Sequence, residues 1–227
     1  MQLFITDEFK IWKNNTIQVW EKRVVDQLRK VLRAKQGYNF FIQNKTWSKI
    51  TRSLVQVEKI TDKVLWNIIS TEEKNINTDN QKWVIVWILN KFDKMELIVQ
   101  KLTEIWIDKI YFVPMERSVF KQIKDNKLER FYKISLEATE QSRSWKMSDI
   151  QVFSSITDIC WNKAILNFDG EYYKNVDFSD IDFLVIWPEW WITEKDMKQI
   201  EATKTIKLWE KVLRAETAAI VWWFILM

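Results

Sequence analysis

The chain contains two glycines and fifteen tryptophans among 227 residues, and this imbalance limits how it can fold more than any other feature. Tight turns, left-handed helix ends and close backbone contacts ordinarily use glycine, because glycine has no Cβ. Average usage of about 7% would give roughly 16 glycines, close to the glycines and tryptophans of this chain taken together. The composition therefore indicates that most tryptophans stand where the fold needs glycine.

The remaining composition is that of a globular protein, with 47% hydrophobic and 29% charged residues. The absence of histidine excludes imidazole bases and histidine metal sites. A single cysteine, Cys160, excludes internal disulfides and zinc sites of several cysteines, so we expect no metal and a reducing cytoplasm. Cys160 has no basic neighbours in the sequence, and we expect its thiol to be buried. The net charge of +4 is compatible with a nucleic-acid partner. The apolar run Ala218–Met227 is too short to span a membrane, which needs about 20 residues.

Residues 1–69 combine short strand-like runs with one basic helix. The runs are Thr16–Val19, Tyr38–Gln43 and Ser53–Ile60, and the helix is predicted at Lys22–Arg33. Short strands with turns and one helix are typical of a small β-barrel domain. The polar residues 70–82 then interrupt the apolar pattern and predict a linker.

From residue 83 to 227, strand-like runs alternate with helical patterns. Val84–Leu89 is continuously apolar, as expected for a strand buried on both faces. Further strands are predicted at Ile110–Val113, Ala164–Phe168 and Phe183–Ile186, and helices at Asp93–Glu104, Leu128–Gln141, Lys195–Thr203 and Ala215–Leu226. The alternation predicts an α/β domain with a mainly parallel sheet.

The segment Ile186–Glu194, IWPEWWITE, lies between a predicted strand and a predicted helix. At such turns the backbone can approach a ligand closely, and only glycine permits that approach. With glycine at each tryptophan the segment becomes IGPEGGITE, a tight loop in which Thr193 can cap the next helix. Trp106 likewise ends a predicted helix, where glycine is the usual cap.

Six motifs follow one another along the chain: Lys91/Asp93/Lys94, Gln100–Trp106, Glu116–Ser118, Glu137–Arg143, Trp187–Trp191 and Leu208–Ala218. They resemble K-x-D-K, Q-K-x-T-E-L-G, E-R-S, E-A-x-E-Q-S-x-R, G-P-E-G-G and L-G-x-x-x-L-R-x-E-T-A of the RsmE family. These are the 16S rRNA (uridine-N3) methyltransferases of the SPOUT superfamily. The N-terminal part resembles the family's PUA-like barrel through Val31–Arg33 and the turn at Gly37, although Gln27 stands near a position where the family has histidine.

Tryptophan stands at glycine positions of this family, at Trp106, Trp187, Trp190, Trp191 and Trp209. One cause would produce the pattern: a genome that reads UGA as glycine, translated with a table that reads it as tryptophan. Gly37 and Gly170 would then have ordinary glycine codons. UGG codons at positions 190 and 191 of the gene would contradict this hypothesis.

The resemblance implies a C-terminal SPOUT domain with a trefoil knot, preceded by the PUA-like barrel. It also implies S-adenosylmethionine as the cofactor, bound by two loops at the carboxyl ends of strands. The implied cofactor-binding residues are Ile186, Trp187, Pro188, Glu189, Trp190, Trp191, Leu208, Trp209, Val212 and Leu213. A homodimer is implied as well, and the apolar helix Ala215–Leu226 would be buried either in that interface or in the monomer core.

Methylation of uridine N3 needs an unpaired base and an acceptor for the N3 proton. Without histidine, the candidate acceptors are Glu189, Glu216 and Glu137, and Arg143 can stabilise developing negative charge. The candidate RNA-binding residues are Arg23, Arg29, Lys30, Arg33, Arg117, Arg143 and Arg214. A carboxylate at a helix start such as Glu216 is equally expected to be a cap or ion-pair partner, and the basic set at 23–33 a solvated helix face.

Two other functions remain open at this point. One is a SPOUT methyltransferase with another rRNA or tRNA target, because cofactor loops do not specify the base. The other is an rRNA-binding assembly factor that kept the fold without the cofactor. Cofactor binding and the position of the methyl group in RNA distinguish the three.

Overall fold

The computed structural model describes residues 1–11, 16–45, 49–75, 83–186 and 192–226. The chain separates into two compact units. Unit 1 contains residues 1–77 together with the short segment 143–146, and unit 2 contains residues 78–142 and 147–227. The sequence predicted domains at residues 1–69 and 83–227, and this division placed the segment 143–146 in the C-terminal domain.

Unit 1 is a six-stranded sheet with one helical segment. Its strands are β1 (Leu3–Ile5), β2 (Phe9–Ile11), β3 (Thr16–Val19), β4 (Asn39–Gln43), β5 (Lys49–Ile60) and β6 (Val64–Asn75), in the order β1-β4-β5-β6-β3-β2. Helix α1 (Lys22–Asp26) continues into a π-helical turn, Gln27–Val31. Val24, Val25 and Leu28 of this segment pack with Phe40 and Trp66 of the sheet.

The connectivity requires the sheet of unit 1 to curl. Strands β1 and β2 lie at opposite edges of the sheet, yet only Thr6–Glu8 separates them in sequence. Three linking residues span at most about 14 Å between the flanking Cα atoms, whereas the edges of a flat six-stranded sheet are about 24 Å apart. The two edges must therefore approach each other, in agreement with the predicted barrel-like domain.

One prediction for this region was wrong. Strand β6 continues to Asn75 and pairs with β5 along its length, so residues 70–75 are part of the sheet and not of a linker. Their polar side chains are exposed on that strand, which explains the misleading pattern. Residues 76–82 of the predicted linker lie outside the described residues.

Unit 2 contains a six-stranded parallel sheet with four helices, as the alternating pattern predicted. The strands are β7 (Trp83–Trp87), β8 (Lys109–Val113), β9 (Asp149–Val152), β10 (Lys163–Tyr172), β11 (Phe183–Ile186) and β12 (Lys204–Lys207), in the order β12-β10-β11-β7-β8-β9. The helices are α2 (Phe92–Glu104), α3 (Asp125–Ser142), α4 (Glu194–Ile200) and α5 (Ala215–Leu226). The helix predicted to reach Thr203 ends at Ile200, because Glu201 adopts the left-handed conformation (φ 49°) and β12 begins three residues later.

Alternate residues of β7 face two separate apolar layers. Val84 and Val86 belong to the core that includes α2, α3 and α5, and Ile85 and Trp87 belong to the core on the opposite face. Residues 84–87 are at most 1% exposed, so the strand is buried on both faces as predicted. The two apolar layers pack against opposite faces of this sheet, and the cleft described below lies at the ends of its strands.

Helix α2 ends in a Schellman motif centred on Trp106. The N–H of Ile107 donates to the carbonyl of Leu102 at 2.9 Å, and the N–H of Trp106 donates to that of Thr103 at 3.1 Å. Trp106 has φ 68°, the left-handed conformation for which glycine is preferred at this position. The backbone therefore has the conformation expected for glycine at residue 106.

Among the described residues, no helix is both long and apolar enough to cross a membrane. Cys160, predicted to be buried, is exposed. It lies in the loop before β10, where Ile159 is buried in the core and the following residues 160–162 are exposed.

Candidate functional site

An open cleft lies where strands β10, β11 and β12 meet α5, and its volume is about 450 Å³ when the adjoining open solvent is included. Its lining residues are Leu166, Asn167, Phe168, Ile186, Lys207, Leu208, Trp209, Lys211, Leu213 and Ala218. Ile186 and Lys207 are the last residues of β11 and β12, so the cleft opens at the carboxyl ends of parallel strands. Open parallel sheets commonly bind ligands at that edge.

Four of the predicted cofactor-binding residues, Ile186, Leu208, Trp209 and Leu213, line this cleft. Val212 does not, and it is 46% exposed. The predicted residues Trp187, Pro188, Glu189, Trp190 and Trp191 lie outside the described residues. The assignment of all ten to a cofactor stays a prediction.

The β10 side of the cleft was missed by the sequence analysis. Strand β10 leaves its register with β12 between Leu166 and Glu171, and this irregular stretch carries Asn167 and Phe168 into the cleft wall. Gly170 lies in the same stretch, and a Cβ there would be 2.6 Å from the backbone nitrogen of Ile206. An isolated glycine within a strand pattern is the signal that could have located the irregularity.

Glu216, a predicted proton acceptor, lies in the first turn of α5 and forms an ion pair with Lys94 of α2 at 3.0 Å. Its side chain is only 14% exposed. Burial acts to raise the pKa of Glu216, but its own backbone N–H and the Lys94 ammonium outweigh burial and lower the pKa. The ion pair joins two of the sequence motifs, K-x-D-K and L-R-x-E-T-A, where α2 packs on α5.

Thr193 caps α4 as predicted, within a network that includes the loop after β8. Its Oγ1 accepts from the Asp196 N–H at 3.1 Å, and the Asp196 carboxylate accepts from the backbone N–H groups of Thr193 and Glu116. The Thr193 hydroxyl lies 2.9 Å from Glu116 Oε2 and 2.8 Å from Asp196 Oδ2, so its single proton bonds one carboxylate at a time. Thr193, followed by Lys195, lowers the pKa of Glu116.

The other two predicted catalytic residues are on or next to α3. Glu137 is exposed on the helix surface. Arg143 directly follows α3, belongs to unit 1 and has φ 55°. Glu137 and Glu216 are in unit 2, and Glu189 lies outside the described residues.

The predicted RNA-binding residues differ in their freedom to contact a ligand. Arg23 is half-buried and donates to Glu21 (2.9 Å) and to the Ile5 carbonyl (3.1 Å), so it holds α1 against β1. Lys30 pairs with Asp26 at 3.0 Å on the exposed face of the helical segment. Arg29, Arg33, Arg117 and Arg214 are exposed. Within the described ranges, no group of three or more acidic or cysteine residues is placed to hold a metal ion.

Comparison with known proteins gives matches over the whole chain. The curated small-subunit rRNA methyltransferase E of Rickettsia conorii is 27% identical over 225 residues, covering 93% of this chain and 89% of that protein. A crystal structure of a small-subunit rRNA methyltransferase E from Neisseria gonorrhoeae, described as bound to S-adenosylmethionine, has a TM-score of 0.78 at 20% identity and covers 99% and 95% of the two chains. A predicted RNA methyltransferase from Thermotoga maritima has a TM-score of 0.73 at 20% identity and covers 100% and 98%.

These structures confirm the fold class, and the Rickettsia relative confirms the resemblance to the RsmE family. The model of the RNA methyltransferase domain family matches residues 77–227. That range contains the parallel sheet, the cleft and all six sequence motifs. The chain therefore belongs to the RNA methyltransferase domain family.

Proposed function

We propose that the chain transfers the methyl group of S-adenosylmethionine to N3 of a uridine in 16S rRNA. The observation that carries this proposal is the apolar cleft at the carboxyl ends of β10, β11 and β12, where Ile186 and the segment 208–213 lie. The curated relative is named for methylation of small-subunit rRNA. The similar Neisseria structure is described with S-adenosylmethionine bound.

The cleft lining offers apolar side chains for the adenine of S-adenosylmethionine and a lysine for its carboxylate. Leu166 of β10, Ile186 of β11 and Leu208, which directly follows β12, provide apolar surface for the flat adenine ring. Lys211 at the cleft is exposed and can pair with the cofactor carboxylate. Lys207 is already paired with Glu210 at 3.0 Å, so it orders the segment after β12.

When bound, S-adenosylmethionine supplies an electrophilic methyl group. The transfer breaks its sulfur–methyl bond, forms the N3–methyl bond and releases the N3 proton. The protein must hold the base in line with that bond and accept the proton. We assign the proton to a carboxylate, and Glu189 or Glu137 suits this role better than Glu216, because Lys94 makes Glu216 a weaker base.

We also propose that the substrate is presented in the small ribosomal subunit, in the cytoplasm, and that the protein acts as a homodimer. The RsmE resemblance supports the dimer, and so does the strongly apolar helix α5. Light scattering at micromolar concentration is expected to give about twice the 27.7 kDa chain mass. A species of 27.7 kDa alone would contradict the dimer.

Calorimetry tests the cofactor site. We expect binding of S-adenosylmethionine to the chain with glycine at all fifteen tryptophan positions, including 187, 190, 191 and 209, and roughly tenfold weaker binding after Leu213→Ser in the cleft wall, since a buried apolar contact is lost. Leu97→Ser is the matched control, because Leu97 lies on α2, away from the cleft lining, and is 39% exposed. An equal loss in both variants would contradict the cleft assignment.

Transfer of a labelled methyl group tests the reaction. Small subunits from cells that lack the gene are incubated with the protein, and the modified nucleoside is identified by mass spectrometry. We expect 3-methyluridine in 16S rRNA. A different methylated nucleoside or a tRNA product indicates another SPOUT activity, and cofactor-free binding to rRNA without transfer indicates an assembly factor.

A further inference from the structure

We propose that Arg52 is a positioning residue that holds Arg143 in the conformation that contacts RNA. This inference rests on the proposed function, because it requires RNA as the substrate. Within unit 1, residues 143–146 lie against side chains of the adjacent strands β4 and β5. Neither Arg52 nor its neighbour Gln43 belongs to any of the six sequence motifs.

Arg52 and Gln43 bond three consecutive backbone carbonyls of the 143–146 segment. Arg52 Nη2 donates to the carbonyls of Arg143 (3.1 Å) and Ser144 (2.8 Å), and Gln43 Nε2 donates to that of Trp145 (3.1 Å). Arg52 Nε and Nη2 both donate to Gln43 Oε1, at 2.9 and 2.7 Å. The two side chains therefore act as one unit that fixes the path of this backbone.

The surroundings make this arrangement rigid. Gln43 is 3% and Ser144 is 4% exposed, and the Arg52 guanidinium carbon lies 3.9 Å from the centre of the Trp145 ring. The hydrogen bonds reach backbone carbonyls, so they do not depend on which side chain stands at position 145. Lysine could not replace Arg52 here, because a single ammonium cannot reproduce the planar set of N–H groups.

Arg143 presents a free guanidinium at the surface next to the residues that Arg52 fixes. It directly follows α3 and has φ 55°, the left-handed conformation in which many helices end, so the chain turns away from the helix axis at this residue. Its side chain is exposed, and within the described part of the chain it forms no ion pair with a carboxylate. The hydrogen bonds of Arg52 and Gln43 fix the backbone that carries this guanidinium.

The charges around Arg143 favour a phosphate. Burial lowers the pKa of Arg52, Glu72 raises it and Arg143 lowers it, so the two guanidinium groups lie close enough to repel each other. Lys74 lies 5.8 Å from the Trp145 ring and is exposed. Arg52 bonds the protein itself, which leaves Arg143 and Lys74 as two neighbouring cations for the RNA backbone.

A double-mutant cycle tests whether Arg52 acts through Arg143. Binding of a 16S rRNA transcript is measured over a salt series for a parent chain with glycine at all fifteen tryptophan positions, and for Arg52→Lys, Arg143→Ala and the double variant made in that parent chain. We expect each single variant to bind roughly tenfold more weakly, Arg143→Ala to reduce the salt slope by about one, and the double variant to be no weaker than Arg143→Ala. Arg52→Lys keeps the positive charge, so a loss of RNA affinity in this variant reports the loss of the hydrogen-bond geometry of the guanidinium.

Two further variants separate this role from general stability. Lys49→Ala removes a cation from the same strand, where Lys49 pairs with Glu73 at 2.7 Å, and is expected to leave RNA binding within about twofold. Arg143→Gly is expected to raise the unfolding midpoint, because it relieves the left-handed strain, while it weakens RNA binding. Affinity for S-adenosylmethionine should be unchanged in all variants, since the cleft belongs to unit 2.

The inference is overturned if Arg52→Lys binds RNA normally, if the losses from Arg52→Lys and Arg143→Ala add, or if Arg52→Lys also weakens cofactor binding. Failure of the proposed function gives a different result. In that case the parent chain itself does not bind or methylate the RNA.

Discussion

The clearest single test of the tryptophan–glycine hypothesis is at Trp106, where the backbone conformation is known. We compare the full chain carrying tryptophan, alanine or glycine at this position, with glycine at the other fourteen tryptophan positions. Alanine removes the indole and keeps the Cβ, so the difference between alanine and glycine isolates the backbone. We expect glycine to be the more stable of these two.

The magnitude follows from the conformation of residue 106. Its φ of 68° costs an L-residue about 1–2 kcal/mol. Glycine loses about 0.5–1 kcal/mol more conformational entropy on folding than alanine, which leaves a net gain of about 0.5–1 kcal/mol. For a chain of this size that gain raises the unfolding temperature by about 1–4 °C. The indole is 61% exposed, so its removal costs little compared with removal of a core tryptophan.

Urea denaturation followed by circular dichroism measures the difference between alanine and glycine. Trp161 is the matched control, because it is also in unit 2, is 52% exposed and does not have a positive φ. At position 161 glycine should be less stable than alanine by about 0.5–1 kcal/mol. If alanine equals or exceeds glycine at position 106, the argument from backbone conformation is refuted.

Further predictions concern stability and cofactor binding. Gly170→Ala should destabilise the chain by about 1–3 kcal/mol in urea denaturation, because the new Cβ would lie 2.6–2.7 Å from backbone atoms of residues 205 and 206. Thr103→Val should cost about 1–3 kcal/mol, since the buried Thr103 hydroxyl bonds Ser135 and Ser148. The lowered pKa of Glu216 means that its stabilising effect is present above the ordinary value of 4.5 and is lost as the pH falls through the folded value, so Glu216→Gln should flatten the decline in urea midpoint as the pH falls below 4.5. Glycine at all fifteen tryptophan positions should restore soluble expression and S-adenosylmethionine binding, whereas glycine at 190, 191 and 209 alone should restore neither fully. If the chain with its fifteen tryptophans is soluble and binds the cofactor as tightly as the chain with fifteen glycines, this prediction is wrong.

The sequence predicted the parallel sheet because its strands are buried on both faces and read as apolar runs. Phe183–Ile186 and Ala215–Leu226 have the predicted bounds. Strand β12 was missed, because its residues KTIK have one buried side chain and read as an extension of the preceding helix. The second half of β6 was missed for a similar reason, since exposed edges of long strands carry no apolar period.

The parts of the candidate site that lie within short sequence motifs were predicted. The parts that depend on contacts between residues far apart in sequence were missed. The family resemblance implied that Ile186 and Leu208 lie in loops at the carboxyl ends of strands, and Thr193 could be assigned as a cap from its own neighbours. Arg52 could not, because its contacts with residues 143–145 span about ninety positions of sequence. No local pattern marks a side chain whose partners are backbone carbonyls. The trefoil knot implied by the resemblance stays a prediction.

The described tryptophans differ in how well the fold accommodates them. Trp222 is 2% exposed and packs edge-on against Phe178, at 5.1 Å between ring centres. Trp66 and Trp87 are at least as buried, yet their indole nitrogens have no hydrogen-bond partner among the described residues. A buried indole N–H normally has a partner, since leaving it without one costs about 1–3 kcal/mol. Trp66 and Trp87 therefore carry an unfavourable polar group at positions that a residue without an N–H side chain would fill at no such cost, and Trp106 carries backbone strain that glycine would remove. The mismatch appears in both units and through two independent physical terms, and the term at Trp106 is the one that identifies glycine as the residue that the backbone requires.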